Sequence, residues 1–71
     1  MIEITAPMGG KVIEVKVKVG DQINEDDEVI ILEAMKMELP VVSTGSGTVS
    51  AVRCKEGDAV EADNVLVVLE D

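Results

Sequence analysis

Glu28-Val29-Ile30-Ile31-Leu32-Glu33-Ala34-Met35-Lys36-Met37-Glu38-Leu39-Pro40-Val41-Val42, at the middle of a 71-residue chain, is a stretch with two readings. Glu, Ala, Met, Lys and Leu are strong helix formers, and Glu33 to Glu38 holds no Gly, Asn, Asp or Pro to mark a turn. The run before it, however, is β-branched, as strands prefer. Fifteen residues drawn out at about 3.3 Å each would span about 50 Å, too long for one strand of so small a domain.

An internal repeat decides between the readings, because a repeat fixes the architecture before any local propensity does. A shift of 37 residues lays Gly10 on Gly47, Val12 on Val49, Val15 on Val52 and Lys18 on Lys55. It lays Gly20-Asp21 on Gly57-Asp58, Ile23 on Val60, and Val29 to Glu33 on Leu66 to Glu70. The second copy, Val65 to Leu69, is too short and too β-branched to be helical, so its counterpart is a strand as well. The central stretch therefore folds back as a hairpin. A two-residue turn at Met35-Lys36 pairs Ala34 with Met37, Glu33 with Glu38, and Leu32 with Leu39.

The rest of the chain fits two copies of a four-strand unit. Met1 to Ala6 alternates apolar and polar and stops at Pro7 and Gly9-Gly10. Lys11 to Val19 reads as one strand with Ile13, Val15, Val17 and Val19 on a single face. Pro40 marks an edge strand or a bulge, since proline cannot donate to a ladder. Ser43 to Gly47 is a loop and Thr48 to Arg53 a strand carrying Cys54 at its end. Asp27 and Asn64, at equivalent turns, are the non-glycine residues that best tolerate a left-handed backbone. The expected fold is all-β: a flattened barrel or sandwich of two four-stranded antiparallel sheets related by a pseudo-twofold axis. Residues 1–71 make one domain.

Composition narrows the chemistry. There is no aromatic residue and no histidine, so Ser–His and Cys–His nucleophilic pairs are excluded. One cysteine, Cys54, allows neither an internal disulfide nor a zinc-type cluster, and reads as a small packing residue. A net charge of −9 argues against nucleic acid, which requires a basic footprint. No apolar run approaches the ~18 residues of a membrane span, so no direct membrane insertion and a cytoplasmic location are expected.

Lys36 stands apart from the other five basic residues because methionine flanks it on both sides. Lys11, Lys16, Lys18, Arg53 and Lys55 sit on polar strand faces or beside turns, where solvated charge is the expected role. Met-Lys is a poor tight turn, costing on the order of 1 kcal/mol per left-handed residue. A broken local rule often marks a functional site. Exposed methionine suits a surface that other proteins grip, against the alternative that it fills the end of the barrel. A nucleophilic lysine requires burial or a neighbouring cation, and Lys36 has Glu33 and Glu38 beside it instead. A lysine acylated by another enzyme fits better than a catalytic one.

Glu33-Ala34-Met35-Lys36-Met37-Glu38 resembles the attachment motif of the biotinyl domains of biotin-dependent carboxylases, transcarboxylases and decarboxylases. The flanks agree: Ala6-Pro7-Met8-Gly9-Gly10-Lys11-Val12, Val19-Gly20-Asp21-Gln22-Ile23, Gly47-Thr48-Val49 and Glu56-Gly57-Asp58-Ala59-Val60. The resemblance covers nearly the whole chain. It implies a non-catalytic carrier, the biotin carboxyl carrier, with biotin covalently bound to Lys36 by a biotin protein ligase. Carboxybiotin on that lysine would move between a biotin carboxylase and a carboxyltransferase or decarboxylase subunit. It implies that Met35 and Met37 position Lys36, that Glu33 helps discriminate among ligases, and that Ala34 and Glu38 complete the recognised motif. Lipoyl domains share the implied fold but typically carry Asp-Lys-Ala, and a lipoyl or dual biotin/lipoyl attachment protein is the alternative. Asp27 and Asn64 stand where many members have Gly, and Gly9 where Pro is common. There is no room for the thumb-like insertion of some bacterial carriers.

Overall fold

The computed structural model describes residues 1–70 and shows eight strands. They are β1 (Ile2–Thr5), β2 (Gly10–Val15), β3 (Gln22–Ile23), β4 (Glu28–Ala34), β5 (Met37–Val42), β6 (Gly47–Val52), β7 (Ala59–Val60) and β8 (Val65–Glu70). One four-stranded sheet runs β1-β8-β6-β3 and the other β5-β4-β2-β7, with every pairing antiparallel. The longest dimension is 34 Å, which a single strand over 28–42 would exceed.

The repeat is a physical twofold, and it holds to the level of single bonds. Adding 37 to β1, β2, β3 and β4 reaches β5, β6 and the positions of β7 and β8, so each sheet is the image of the other. Ile2 pairs with Leu69 as Leu39 pairs with Leu32, and Lys11 pairs with Glu33 as Thr48 pairs with Glu70. Lys16 N–H donates to the Val29 carbonyl at 2.9 Å, and Arg53 N–H to that of Leu66 at 2.7 Å. Val12, Leu32, Val49 and Leu69, two equivalent pairs, are fully buried at the centre of the core with Ile30, Val29, Leu66 and Val67. The core between the sheets is built from Val, Ile, Leu and Ala side chains without rings.

Close approach explains the glycines that open β2 and β6. A Cβ on Gly10 would lie 2.6 Å from the Glu33 carbonyl oxygen, and one on Gly47 2.8 Å from that of Glu70. Because the obstacle is backbone, neither side can yield without shifting a strand. Gly10→Ala is expected to lower stability by about 1–3 kcal/mol, read as a fall in the urea midpoint, with Gly47→Ala close behind.

Three expectations need correction. The strand from Lys11 ends at Val15, and its alternation is interrupted where the β2–β4 register shifts between Val12 and Glu14. That bulge puts two consecutive residues outward, so Val12 is buried while Ile13 is 37% exposed. Val15 and Val17 return to the core, but Val19, at 63%, lies in solvent. A bulge also interrupts β6 between Val49 and Ala51, at the equivalent place. Second, the left-handed residues of the acidic turns are Asp26 (φ 73°) and Asp63 (φ 71°), one position before Asp27 and Asn64. Asp27 and Asn64 act through their side chains instead, accepting the N–H groups of Asn24 at 2.8 Å and Glu61 at 3.0 Å. Third, β6 stops at Val52, so Cys54 lies beyond the strand. It is half-buried and packs against the core as expected.

Candidate attachment site at the β4–β5 hairpin

The hairpin forms as its neighbours dictate. β4 reads apolar inward through Leu32 and Ala34 with Glu33 outward, and its register pairs Leu32 with Leu39, Glu33 with Glu38, and Ala34 with Met37. Pro40 sits on β5, the edge strand of its sheet, where the missing donor costs no ladder bond to a further strand. The turn is left with two residues, Met35 and Lys36, at φ 53° and 64°. Positive φ at both central positions is the conformation of a type I′ turn, which matches the twist of the flanking strands but normally calls for Asn-Gly.

The strain therefore comes from the side chains, since the turn geometry itself is the favoured one. Replacing the pair by Asn-Gly (Met35→Asn with Lys36→Gly) is expected to raise stability by about 1–2 kcal/mol, measured as an increased urea midpoint at unchanged slope. A gain in stability from removing these two residues marks them as kept for another purpose.

Met35 is 84% exposed and Met37 59%, so neither fills the end of the barrel. Lys36 is exposed between them, and among the described residues no carboxylate pairs with its ammonium and no acceptor holds it. The Lys36 amine is thus presented on a narrow backbone loop, close to apolar side chains and open to approach. Of the motif residues, Glu33 and Glu38 face each other on the outer surface, while Ala34 is buried and anchors the loop to the core. The structure brings all six together on one hairpin.

Sequence reading left out what lies beside the hairpin base. Lys11 pairs directly with Glu33, so Glu38, Glu33 and Lys11 form a row across β5, β4 and β2. Like charges directly opposite are unfavourable, and Lys11 on the far side of Glu33 offsets that repulsion. Together with Glu56 and Gly57 they line an open groove of about 490 Å³. Lys11 lies 25 residues from Lys36 in sequence, and the antiparallel pairing of β2 on β4 brings it here.

Known proteins of this shape bear on the reading. The family described as "Biotin-requiring enzyme" (biotin/lipoyl) matches residues 2–69. The biotin carboxyl carrier protein of Streptococcus mutans is 52% identical over 46 residues, 65% of this chain and 35% of that protein. The biotin/lipoyl attachment protein of Bacillus subtilis is 50% identical over 46 residues, 65% of this chain and 63% of that one. The chain thus spans less than two thirds of either relative's length. Among solved structures, the urea carboxylase of Kluyveromyces lactis superposes on 96% of this chain with a TM-score of 0.90 and 37% identity, using 6% of its own length. With sheets, register and hairpin as described, this chain belongs to the biotin/lipoyl attachment family.

Proposed function

We propose that residues 1–71 form a single biotinyl domain, a biotin carboxyl carrier whose Lys36 is the attachment residue. The observation that carries this reading is the hairpin tip: an unpaired lysine between two exposed methionines, on a turn whose two left-handed positions hold neither Asn nor Gly. The residues fit the group. Biotin joins through its carboxyl carbon to an amine, which calls for an accessible lysine free of competing partners rather than a pocket. In the attachment step the Lys36 amine attacks the acyl carbon of biotinyl-adenylate held by a biotin protein ligase. An amide bond forms, AMP leaves, and the amine gives up a proton.

When bound, biotin supplies a ureido nitrogen that takes up and releases a carboxyl group. The chain contributes placement. The short rigid hairpin holds Lys36 clear of the barrel, so that a long arm reaches into the active sites of partner subunits. Met35 and Met37 offer those partners an apolar seat, and Glu33 with Glu38 a charged rim that selects among ligases. The partners proposed are a biotin carboxylase and a carboxyltransferase or decarboxylase subunit, in the cytoplasm, and the chain itself performs no bond-making chemistry. Likeness to an attachment protein named for both groups supports a second reading, in which Lys36 also accepts lipoate.

Intact mass tests both. Incubated with a biotin protein ligase, biotin and ATP, the chain is expected to gain one biotin. With a lipoate ligase and lipoate it is expected to gain less, and to lose that product when both ligases compete. A chain left at its unmodified mass by the biotin ligase overturns the proposal.

A further inference from the structure

The oxidisable side chains of this protein are few and unevenly placed. It has no tryptophan, tyrosine or histidine, only four methionines and one cysteine. Cys54 is half-buried, its Sγ 3.9 Å from the Leu66 carbonyl oxygen, and burial together with the nearby Asp58 carboxylate raises its pKa. The thiolate, which is the form that reacts, is correspondingly scarce. Met8 is 37% exposed, whereas Met35 and Met37 are 84% and 59% exposed. Met1 is also open, at 79%, but it precedes β1, in the half of the repeat that does not hold the hairpin tip. The two sulfurs flanking Lys36 are therefore among the most accessible oxidation targets in the molecule, and they adjoin the atom that is to be acylated.

We propose that Met35 and Met37 are a reversible oxidation site through which peroxides turn down acceptance of biotin at Lys36. The inference rests on the attachment reading above. A thioether lone pair attacks one oxygen of the peroxide, the S–O bond forms as the O–O bond breaks, and water or an alcohol leaves. The sulfur is oxidised by two electrons and the peroxide reduced by two. Each sulfoxide puts a strongly polar oxygen where the tip had an apolar surface. A partner seat shaped for thioethers then has to desolvate that oxygen without a matching donor. The backbone itself has no reason to change, because both side chains stand in solvent and neither packs in the core. Reduction by methionine sulfoxide reductases of both stereospecificities returns the thioethers.

The test uses the full chain with Met1→Leu, Met8→Leu and Cys54→Ser, so that the tip holds the only sulfurs. The apo protein is treated with hydrogen peroxide, the excess is destroyed with catalase, and peptide mass confirms sulfoxide at both positions. The initial rate of biotin transfer by a biotin protein ligase is expected to fall about tenfold, the scale of an unmatched polar group at a contact, and to recover after the reductases. As a second measurement that needs no variant, partly oxidised wild-type chain is run to half conversion. Its biotinylated product is expected to be depleted in tip sulfoxide and its residue enriched. Equal rates before and after oxidation, or equal sulfoxide content in product and residue, overturn the proposal while leaving the attachment reading intact. Untreated chain that accepts no biotin overturns both.

Discussion

Lys36→Arg is expected to give a folded chain that takes up no biotin. Arginine keeps the positive charge, the length and the left-handed backbone at φ 64°, so what changes is the nucleophile. A guanidinium stays protonated at any pH the protein survives and presents no free amine. Because the side chain is exposed and makes no contact that holds the fold, the cost in stability should stay within about 0.5 kcal/mol. Intact mass and a urea melt on the same sample separate the two effects. The other lysines serve as internal controls. Lys16 is paired with Glu28 at 3.2 Å, Lys11 lies on β2, and Lys18 and Lys55 open turns whose left-handed residues are Gly20 and Gly57, so none of the four stands at a two-residue hairpin tip. Biotin appearing on any of these in the Lys36→Arg chain, at a rate near that of the wild type, would mean that the ligase reads something other than the hairpin.

The largest loss of stability is expected from Leu32→Ala and from Leu69→Ala, and the two should match. Both leucines are fully buried, they are equivalent under the 37-residue shift, and each pairs with the strand that flanks it on the outside of its sheet. Emptying such a site costs about 2–5 kcal/mol, the spread reflecting how far the walls relax. A domain of this size has roughly 4–10 kcal/mol in all, so either variant sits near the edge of folding at 25 °C. Urea titrations of both should give midpoints that fall together. Values differing by more than about 2 kcal/mol would show that the two halves share geometry without sharing energetics.

The hairpin was legible in the sequence to the residue, for a definite reason. The repeat excluded a helix, the length excluded a single strand, and a two-residue turn near the centre of the stretch then fell on Met35 and Lys36, setting Leu32 against Leu39 as the structure has it. The missing donor of Pro40 allowed an edge strand or a bulge, and the structure takes the edge. What could not be read were the two shifts of register in β2 and β6. A bulge inserts one residue without any sequence mark, since the extra residue of β2, Ile13, is as apolar as the buried Val12 before it, and every later position then changes face. The pairing of β2 on β4, which sets Lys11 beside Glu33, has no local mark in the sequence either. The acidic turns failed more narrowly. Asp26, Asp27, Asp63 and Asn64 are all residues that accept a left-handed backbone, so composition located the turn but not which member bends it.

The identity of the two halves has a consequence for topology. Glu33 and Glu38, the residues that bracket the tip, correspond to Glu70 and Met1 on the other half, and Leu69 already pairs with Ile2 as Leu32 does with Leu39. Four residues, Ala34 to Met37, bridge the first pair. A linker of Ala-Met-Lys-Met in place of Asp71, joined to Met1, would therefore close the backbone into a ring on the register already present. The ring would have a lysine-bearing turn in each half. One small barrel would then present two lysine tips, and cutting the ring at the original turn would give a permuted chain with its one lysine tip at the new position.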